Sequence, residues 1–399
     1  MTMHATGFGD GGSYQHELLA PDADDDMTPR LPTNLVDLEE AARRAMQPRD
    51  FSFLAATASS GATVVANRAA FDRWGIVPRI LRDVTWRDHA VTILGTAMAA
   101  PVMLAPIGAL TVAHPDGELA VARAAAELGL TMVVSPVSSY TLEDIAAAAG
   151  GSTPWMELVW TTDQQVNESI LDRASAAGYT VLTVSVDLPV TSWRPAHLDH
   201  RYLPLLRGVG LANYIADPAF QARLPAAAQG DPQAAIRRWA EIATDPGRTW
   251  KHVGAIRKYW DGPIVLKGVL HPDDAQKAVD WGMDGIIVSN HGGRQLDGSI
   301  ASLDALPAIV GRVGDQTTVL MDSGVRTGSD IVKALALGAH AVLIGRPYAF
   351  GLGLAGYSGV LHVLRSLLCD YDLSMAVAGH ASPRSLAADT LAPVPGGDR

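Results

Sequence analysis

The chain has 399 residues, 48% hydrophobic and 18% charged, so it can bury a large core and is not a disordered polymer. Its formal charge of −11, from 31 Lys+Arg against 42 Asp+Glu, argues against a nucleic-acid partner. The one cysteine, Cys369, excludes an intramolecular disulfide and a cysteine-based zinc site. Met1 to Tyr14 shows neither the basic start nor the apolar run of a secretory signal. No stretch reads as the roughly 18 consecutive apolar residues that cross a bilayer. A cytoplasmic protein without membrane contact is expected. Residues 1–33 read as a polar, partly disordered extension, and Asn34–Met46 as an amphipathic helix outside the main domain.

Short apolar runs then recur: Val102–Ile107, Met132–Pro136, Trp155–Val159, Val181–Asp187, Ile264–Gly268, Gly285–Asn290, Val319–Ser323 and Ala341–Arg346. They are too short for helices, rich in β-branched residues and mostly end beside Gly, Pro, Ser, Asn or Asp, as buried parallel strands do. Ala-rich stretches with helical spacing separate them: Gly117–Leu128, Thr141–Ala149, Asp163–Ala177, Pro272–Trp281, Ser302–Val313 and Gly328–Leu337. Thr141 and Ser302 stand where capping residues stand. Eight such alternations predict an α/β fold, a closed (β/α)8 TIM barrel spanning 34–388. The long interval 188–262 reads as a partly ordered insertion after the fourth strand, a lid first and a subunit contact second. Residues 389–399 read as a disordered tail.

Barrel chemistry sits at the carboxyl ends of the strands. Gly324 with Arg326 and Gly345 with Arg346 follow the last two strands, where barrels commonly hold phosphate on backbone N–H groups and arginine forks. The alternative is that these arginines pair with carboxylates on the rim. Lys267 ends the fifth strand and reads either as a rim ion pair or as a cation facing a developing anion. His291, with Gly292 and Gly293 behind it and Arg294 after it, has the composition of a general base beside an anionic substrate. Asp187 either partners that histidine or caps the turn before Pro189.

The run Ser289-Asn290-His291-Gly292-Gly293-Arg294-Gln295-Leu296-Asp297-Gly298 resembles the signature of the FMN-dependent α-hydroxy acid oxidising enzymes. Asp322-Ser323-Gly324-Val325-Arg326 and Ile344-Gly345-Arg346-Pro347 resemble that family's phosphate-loop segments. The resemblance runs from about Asn34 to about Gly379. Within the family the likeness is greatest to lactate 2-monooxygenase, carried by Leu104–Gly108 with Ala113–Asp116, Trp193–Pro195 with Tyr202–Pro204, Arg207 to Tyr214, and Leu270–Asp274.

The resemblance implies FMN as cofactor, with its phosphate on Gly324, Arg326, Gly345 and Arg346 and its ribityl chain on Asp322. It implies that Lys267 stabilises the reduced flavin anion, and that Ala105, Pro106, Ile107, Ser135, Glu157, Ser185, Ser289 and His291 contact the flavin. His291 becomes the base, Asp187 its partner, Arg294 the anchor of the substrate carboxylate and Arg194 a second, loop-borne arginine. Implied partners are a small acid substrate and O2, with a homotetramer or octamer as assembly. Oxidative decarboxylation of the substrate would follow the lactate 2-monooxygenase pattern.

Three positions depart from the family. Val159 and Phe53 stand where substrate-facing tyrosines are expected, and Glu157 stands where a flavin-contacting glutamine is expected. Each lost hydrogen bond to a charged substrate is worth roughly 1.5–3 kcal/mol, so the expected substrate is larger or less polar than lactate unless Tyr202 or Tyr214 fills in. An FMN-binding protein that has lost oxidative activity, and a phosphosugar isomerase on the same fold, are the rival readings.

Overall fold

A computed structural model describes residues 11–20, 31–225 and 230–394. Eight parallel strands close into a barrel in the order seven, eight, one, two, three, four, five, six. They are Val102–Leu104, Thr131–Val134, Trp155–Leu158, Leu182–Ser185, Ile264–Val269, Gly285–Val288, Thr318–Met321 and Ala341–Ile344. All eight expected runs are therefore strands, and the expected helices lie within a residue of their predicted bounds. Thr141 caps its helix through the Asp144 N–H, whereas Ser302 is already helical and its hydroxyl accepts from the Asn290 N–H.

Side chains alternate along each strand, so every second residue enters the barrel. Met103, Val133, Trp155, Val181, Val265, Ile287, Leu320 and Leu343 belong to the inner apolar cluster. Two residues further along each strand come Ala105, Ser135, Glu157, Thr183, Lys267, Ser289, Asp322 and Gly345. An apolar floor thus carries a mostly polar layer at the carboxyl ends. The hairpin Val91–Ile93/Thr96–Met98 packs Ile93 and Met98 into the floor, and Trp155 Nε1 donates to Thr96 Oγ1 at 3.0 Å. The alternate residues, Leu104, Met132, Met156, Leu158 and Val184 among them, face outward into the larger core shared with the helices.

Four segments differ from the sequence-based expectation. The helix expected at 34–46 is Leu38–Ala45, because the Asn34 side chain first closes a turn onto the Val36 N–H. The interval 188–262 is mostly helical, and its last helix, Trp250–Tyr259, leads directly into the fifth strand as a barrel crossover helix. The tail is ordered through residue 393: Leu391–Pro393 pairs antiparallel with Trp74–Ile76, and Leu391 joins the main core. The rest of the expected disorder, at 395–399, and most of that at 1–33 lie outside the described residues. Within the latter, Gly11–Leu19 is a helix whose first N–H donates to Asp372 Oδ2.

The helix Arg346–Ala378 is apolar and long enough to cross a membrane by composition, a feature missed in the sequence. It breaks at Ala355–Gly356 and packs against Gly117–Glu127, Gly328–Ala336 and Leu38–Ala45, as a core helix does.

Candidate active site

A cavity open to solvent occupies the carboxyl-end mouth of the barrel. Of the residues singled out in the sequence, Phe53, Ala105, Pro106, Ile107, Ser135, Glu157, Val159, Arg194, Lys267, His291, Arg294, Asp322, Gly324, Arg326, Gly345 and Arg346 all line it. Ser185, Ser289 and Asp187 stand behind this lining and hold its members in place. Ser185 Oγ donates to Glu157 Oε1, Ser289 Oγ accepts the His291 N–H at 3.0 Å, and Asp187 faces His291.

His291 sits at φ +59°, a left-handed conformation uncommon for a side-chain-bearing residue. Its Nδ1 lies 3.2 Å from both oxygens of Asp187 and 3.4 Å from Lys267 Nζ. Burial opposes ionisation of Asp187, yet His291 and Lys267 hold its carboxyl below the usual range. A carboxylate at Nδ1 fixes the ring with Nδ1–H inward and leaves Nε2 as the basic nitrogen. The close approach depends on Gly268 (φ +108°), where a Cβ would stand 2.6 Å from the Asp187 side chain. Asp187 is thus a partner of the histidine rather than a turn cap.

Lys267 is 2% exposed and lies 3.5 Å from Asp322 Oδ2. Burial alone would favour its neutral form, but Asp322, Asp187 and Glu157 hold its pKa above the ordinary lysine value. It is both an ion-pair member and a cation in the cavity wall.

The arginines resolve the other open choice. None of the guanidinium groups of Arg194, Arg294, Arg326 and Arg346 has a carboxylate within 4 Å among the described residues. Their partners are carbonyls. Arg294 donates to the carbonyls of Phe53, Leu54 and Ala56, Arg346 to those of Gly292 and Ala56, Arg326 to that of Val325, and Arg194 to that of Arg294 and to the Gln295 side chain. Desolvation and the neighbouring Arg346 push both Arg194 and Arg326 down to about 10, and Arg294 is driven well below its ordinary value by burial, Arg194 and Arg346. Arg346 Nε is buried without a partner. Four cations lining one cavity without counter-ions make an anion site.

Two residues that the sequence reading passed over shape the phosphate end. Asp330 Oδ2 accepts from the N–H groups of Arg326 and Thr327 and from Arg68, which pins the loop after the seventh strand. Gly324 (φ +104°) passes so close to Asn67 that a Cβ would lie 2.7 Å from its carbonyl oxygen. Residue 345 caps the last helix, so that helix directs its N-terminus at the cavity. An orphaned Arg346 Nε, an open helix N-terminus and an unpaired Arg326 suit a phosphate monoester, and the mouth above Lys267 suits a flat ring. These residues fit FMN.

Residues 42–393 match the FMN-dependent dehydrogenase family. The chain belongs to that family. It is 41% identical to an FMN-dependent alpha-hydroxy acid dehydrogenase of Penicillium citrinum over 92% of each chain. It is 40% identical to an L-lactate oxidase of Lysinibacillus sphaericus, covering 90% of this chain and 93% of that one. A crystal structure of mandelate oxidase with (S)-4-hydroxymandelic acid superposes with a TM-score of 0.80 at 39% identity, covering 90% of this chain and 98% of that one. FMN is accordingly the cofactor of this family member, and the fold and oxidoreductase class read from the sequence hold.

The substrate side carries the positions where the resemblance leads one to expect tyrosines. Val159 and Phe53 line the cavity, and neither candidate replacement does. Tyr202 lies outside the lining, under Arg49 with the cation 5.2 Å from its ring centre, and its pKa is pushed up to about 12 by burial and Asp50. Tyr214 is fully buried. The substrate-binding role expected of Tyr202 is therefore not supported by its position. The insertion instead contributes Leu188, Val190, Leu203, Leu205, Trp239 and Ala243 to the wall, none of which the sequence reading placed at the site. His197 stacks on Phe53 at 5.5 Å, and burial with Arg294 and Arg194 holds it neutral, at a pKa of about 4.

Proposed function

We propose that this chain oxidises an α-hydroxy acid larger or less polar than lactate, with O2 as the final electron acceptor. The observation that carries the reading is the juxtaposition of an Asp187-oriented His291 and unpaired arginines with a wall of Val159, Phe53, Leu203, Leu205 and Trp239. Bound FMN supplies the two-electron acceptor. Gly324, Arg326, Gly345 and Arg346 would hold its phosphate, and Lys267 would hold a positive charge beside its ring.

The residues of the chain do the rest. Arg294 and Arg194 bind and orient the substrate carboxylate by charge-assisted hydrogen bonds. The guanidinium of Arg294 is itself held in place by the carbonyls of Phe53, Leu54 and Ala56. His291 Nε2 takes a proton from the substrate, and Asp187 stabilises the imidazolium that results. The insertion excludes water from the wall opposite. The overall balance is hydroxy acid plus O2 giving 2-keto acid plus hydrogen peroxide. In the decarboxylating variant of the reading, keto acid plus peroxide goes on to the shortened carboxylic acid, CO2 and water.

The experiment is anaerobic addition of 2-hydroxy acids to the yellow holoprotein, followed by product analysis in air. Bleaching with a stoichiometric keto acid and peroxide supports an oxidase. CO2 with a one-carbon-shorter acid supports the monooxygenase outcome. If no hydroxy acid bleaches the flavin, the rival reading of an inactive FMN-binding member replaces this one.

A further inference from the structure

Three carboxyl groups gather at the inner end of the cavity around one ammonium, Lys267, and one imidazole, His291. Asp187 is 3.2 Å from His291 Nδ1, and Asp322 is 3.5 Å from Lys267 Nζ. Glu157 is 3% exposed and has no ion-pair partner within 4 Å among the described residues. Its hydrogen-bond partner is a hydroxyl: Ser185 Oγ donates to Oε1 at 2.5 Å.

A buried carboxylate without a paired cation is far costlier than a buried carboxylic acid, so such a group keeps its proton. The titratable groups around Glu157 are Lys267 on the fifth strand, His291 after the sixth, Tyr214 in the insertion and Tyr348 in the last helix. Asp187 faces the His291 ring and Asp322 the Lys267 ammonium. Lys267 favours ionisation of Glu157, but Asp322 and Asp187 act on that ammonium more strongly than Glu157 does. Burial outweighs Lys267 and moves the Glu157 carboxyl upward. With Oε1 accepting from Ser185, the proton belongs on Oε2, in a side chain that lines the cavity.

We propose that Glu157 serves FMN as a neutral carboxylic acid, donating its O–H into the cavity where an amide side chain would donate an N–H. The inference rests on the FMN reading of the cavity and goes beyond it in assigning a protonation state and a donor atom. It makes cofactor binding sensitive to alkali. Loss of the proton replaces a donor by an anion where the ring would present hydrogen-bond acceptor atoms, and a glutamine at 157 has no such proton to lose.

The test is a titration of the full-length apoprotein with FMN from neutral to alkaline pH, read by quenching of FMN fluorescence, for the wild type and Glu157→Gln. The expected result is that the ratio of wild-type to variant Kd climbs by roughly tenfold per pH unit once Glu157 titrates. A ratio that stays constant with pH overturns the proposal. Infrared difference spectra of the wild type, FMN-bound minus apo, give a check that does not depend on the variant folding. A protonated-carboxyl C=O band that disappears with rising pH supports the proposal, and a carboxylate signature at neutral pH overturns it. If FMN binds and is bleached by hydroxy acids while the Kd ratio is flat, only the role of Glu157 fails. If FMN does not bind the wild type at any pH, the cavity reading fails with it.

Discussion

Strands five to eight and strands three and four close the same cavity, yet they present opposite chemistry to it. The first group contributes Lys267, His291, Asp322, Arg326 and Arg346, a set of charges fixed by short contacts and by close-packed glycines. The second group, with the insertion and Phe53, contributes Val159, Leu188, Val190, Leu203, Leu205 and Trp239, an apolar wall. Charged groups at the first side must meet a fixed anion and a fixed ring, so their positions leave little freedom. On the reading proposed above, the apolar residues of the second side meet the substrate's variable end, where volume and polarity decide which acid fits, while Glu157 and Arg194 on that side face the ring and the carboxylate. One rim thus separates reaction type from substrate choice.

The comparison breaks most severely at His291. His291→Gln removes the only base that Asp187 orients, and kcat in steady-state assays is expected to fall by roughly 10²- to 10⁴-fold while FMN stays bound. An unchanged kcat would move the proton transfer elsewhere.

A region remote from both halves provides the stability counterpart. Asp372 accepts from Arg87, His89 and the Gly11 N–H, tying the first helix and the loop around residue 87 to the last helix. Asp372→Ala removes the acceptor these donors share and is expected to cost about 3–5 kcal/mol in denaturant unfolding, with the cavity chemistry intact in the folded fraction. Burial opposes ionisation of Asp372, yet Arg87, His89 and Gly11 hold its pKa far below the unfolded value. Because the folded pKa is the lower one, the stabilisation is complete above about pH 4 and fades as the pH falls. In the alanine variant this part of the acid sensitivity should vanish.

Restoring hydroxyls sharpens the contrast between the two halves. Val159→Tyr or Phe53→Tyr should raise kcat/KM for lactate relative to mandelate by roughly 10- to 100-fold, with little change in the rate constant for O2. The smallest effect is expected on the surface. Glu40→Ala breaks exposed pairs with Arg43 and Arg44 and should leave Tm and kcat unchanged within error.

Much of this arrangement was legible in the residues. Eight β-branched runs marked the strands because a doubly covered parallel strand has no polar face to interrupt it. The polar residues at their ends marked the rim because strand alternation carries them inward. Three things were not legible. The strand at Leu391–Pro393 has only three residues and owes its existence to Trp74–Ile76, more than 300 positions away, so no local pattern announces it. The helix Pro232–Ile242, which carries Trp239 to the cavity, does have a local signal in the Asp231 cap and Pro232, overlooked inside a segment read as loop. The choice between paired and unpaired arginines, and the partners of Glu157, depend on which carboxylates arrive from other strands. No single segment holds that information.

The central claim is that an intact redox side faces a rebuilt substrate side. Anaerobic stopped-flow reduction of the bound FMN by lactate and by mandelate tests it most directly. The account predicts a limiting reduction by both acids, with a far lower apparent Kd for mandelate. Tighter binding and faster bleaching by lactate would contradict it.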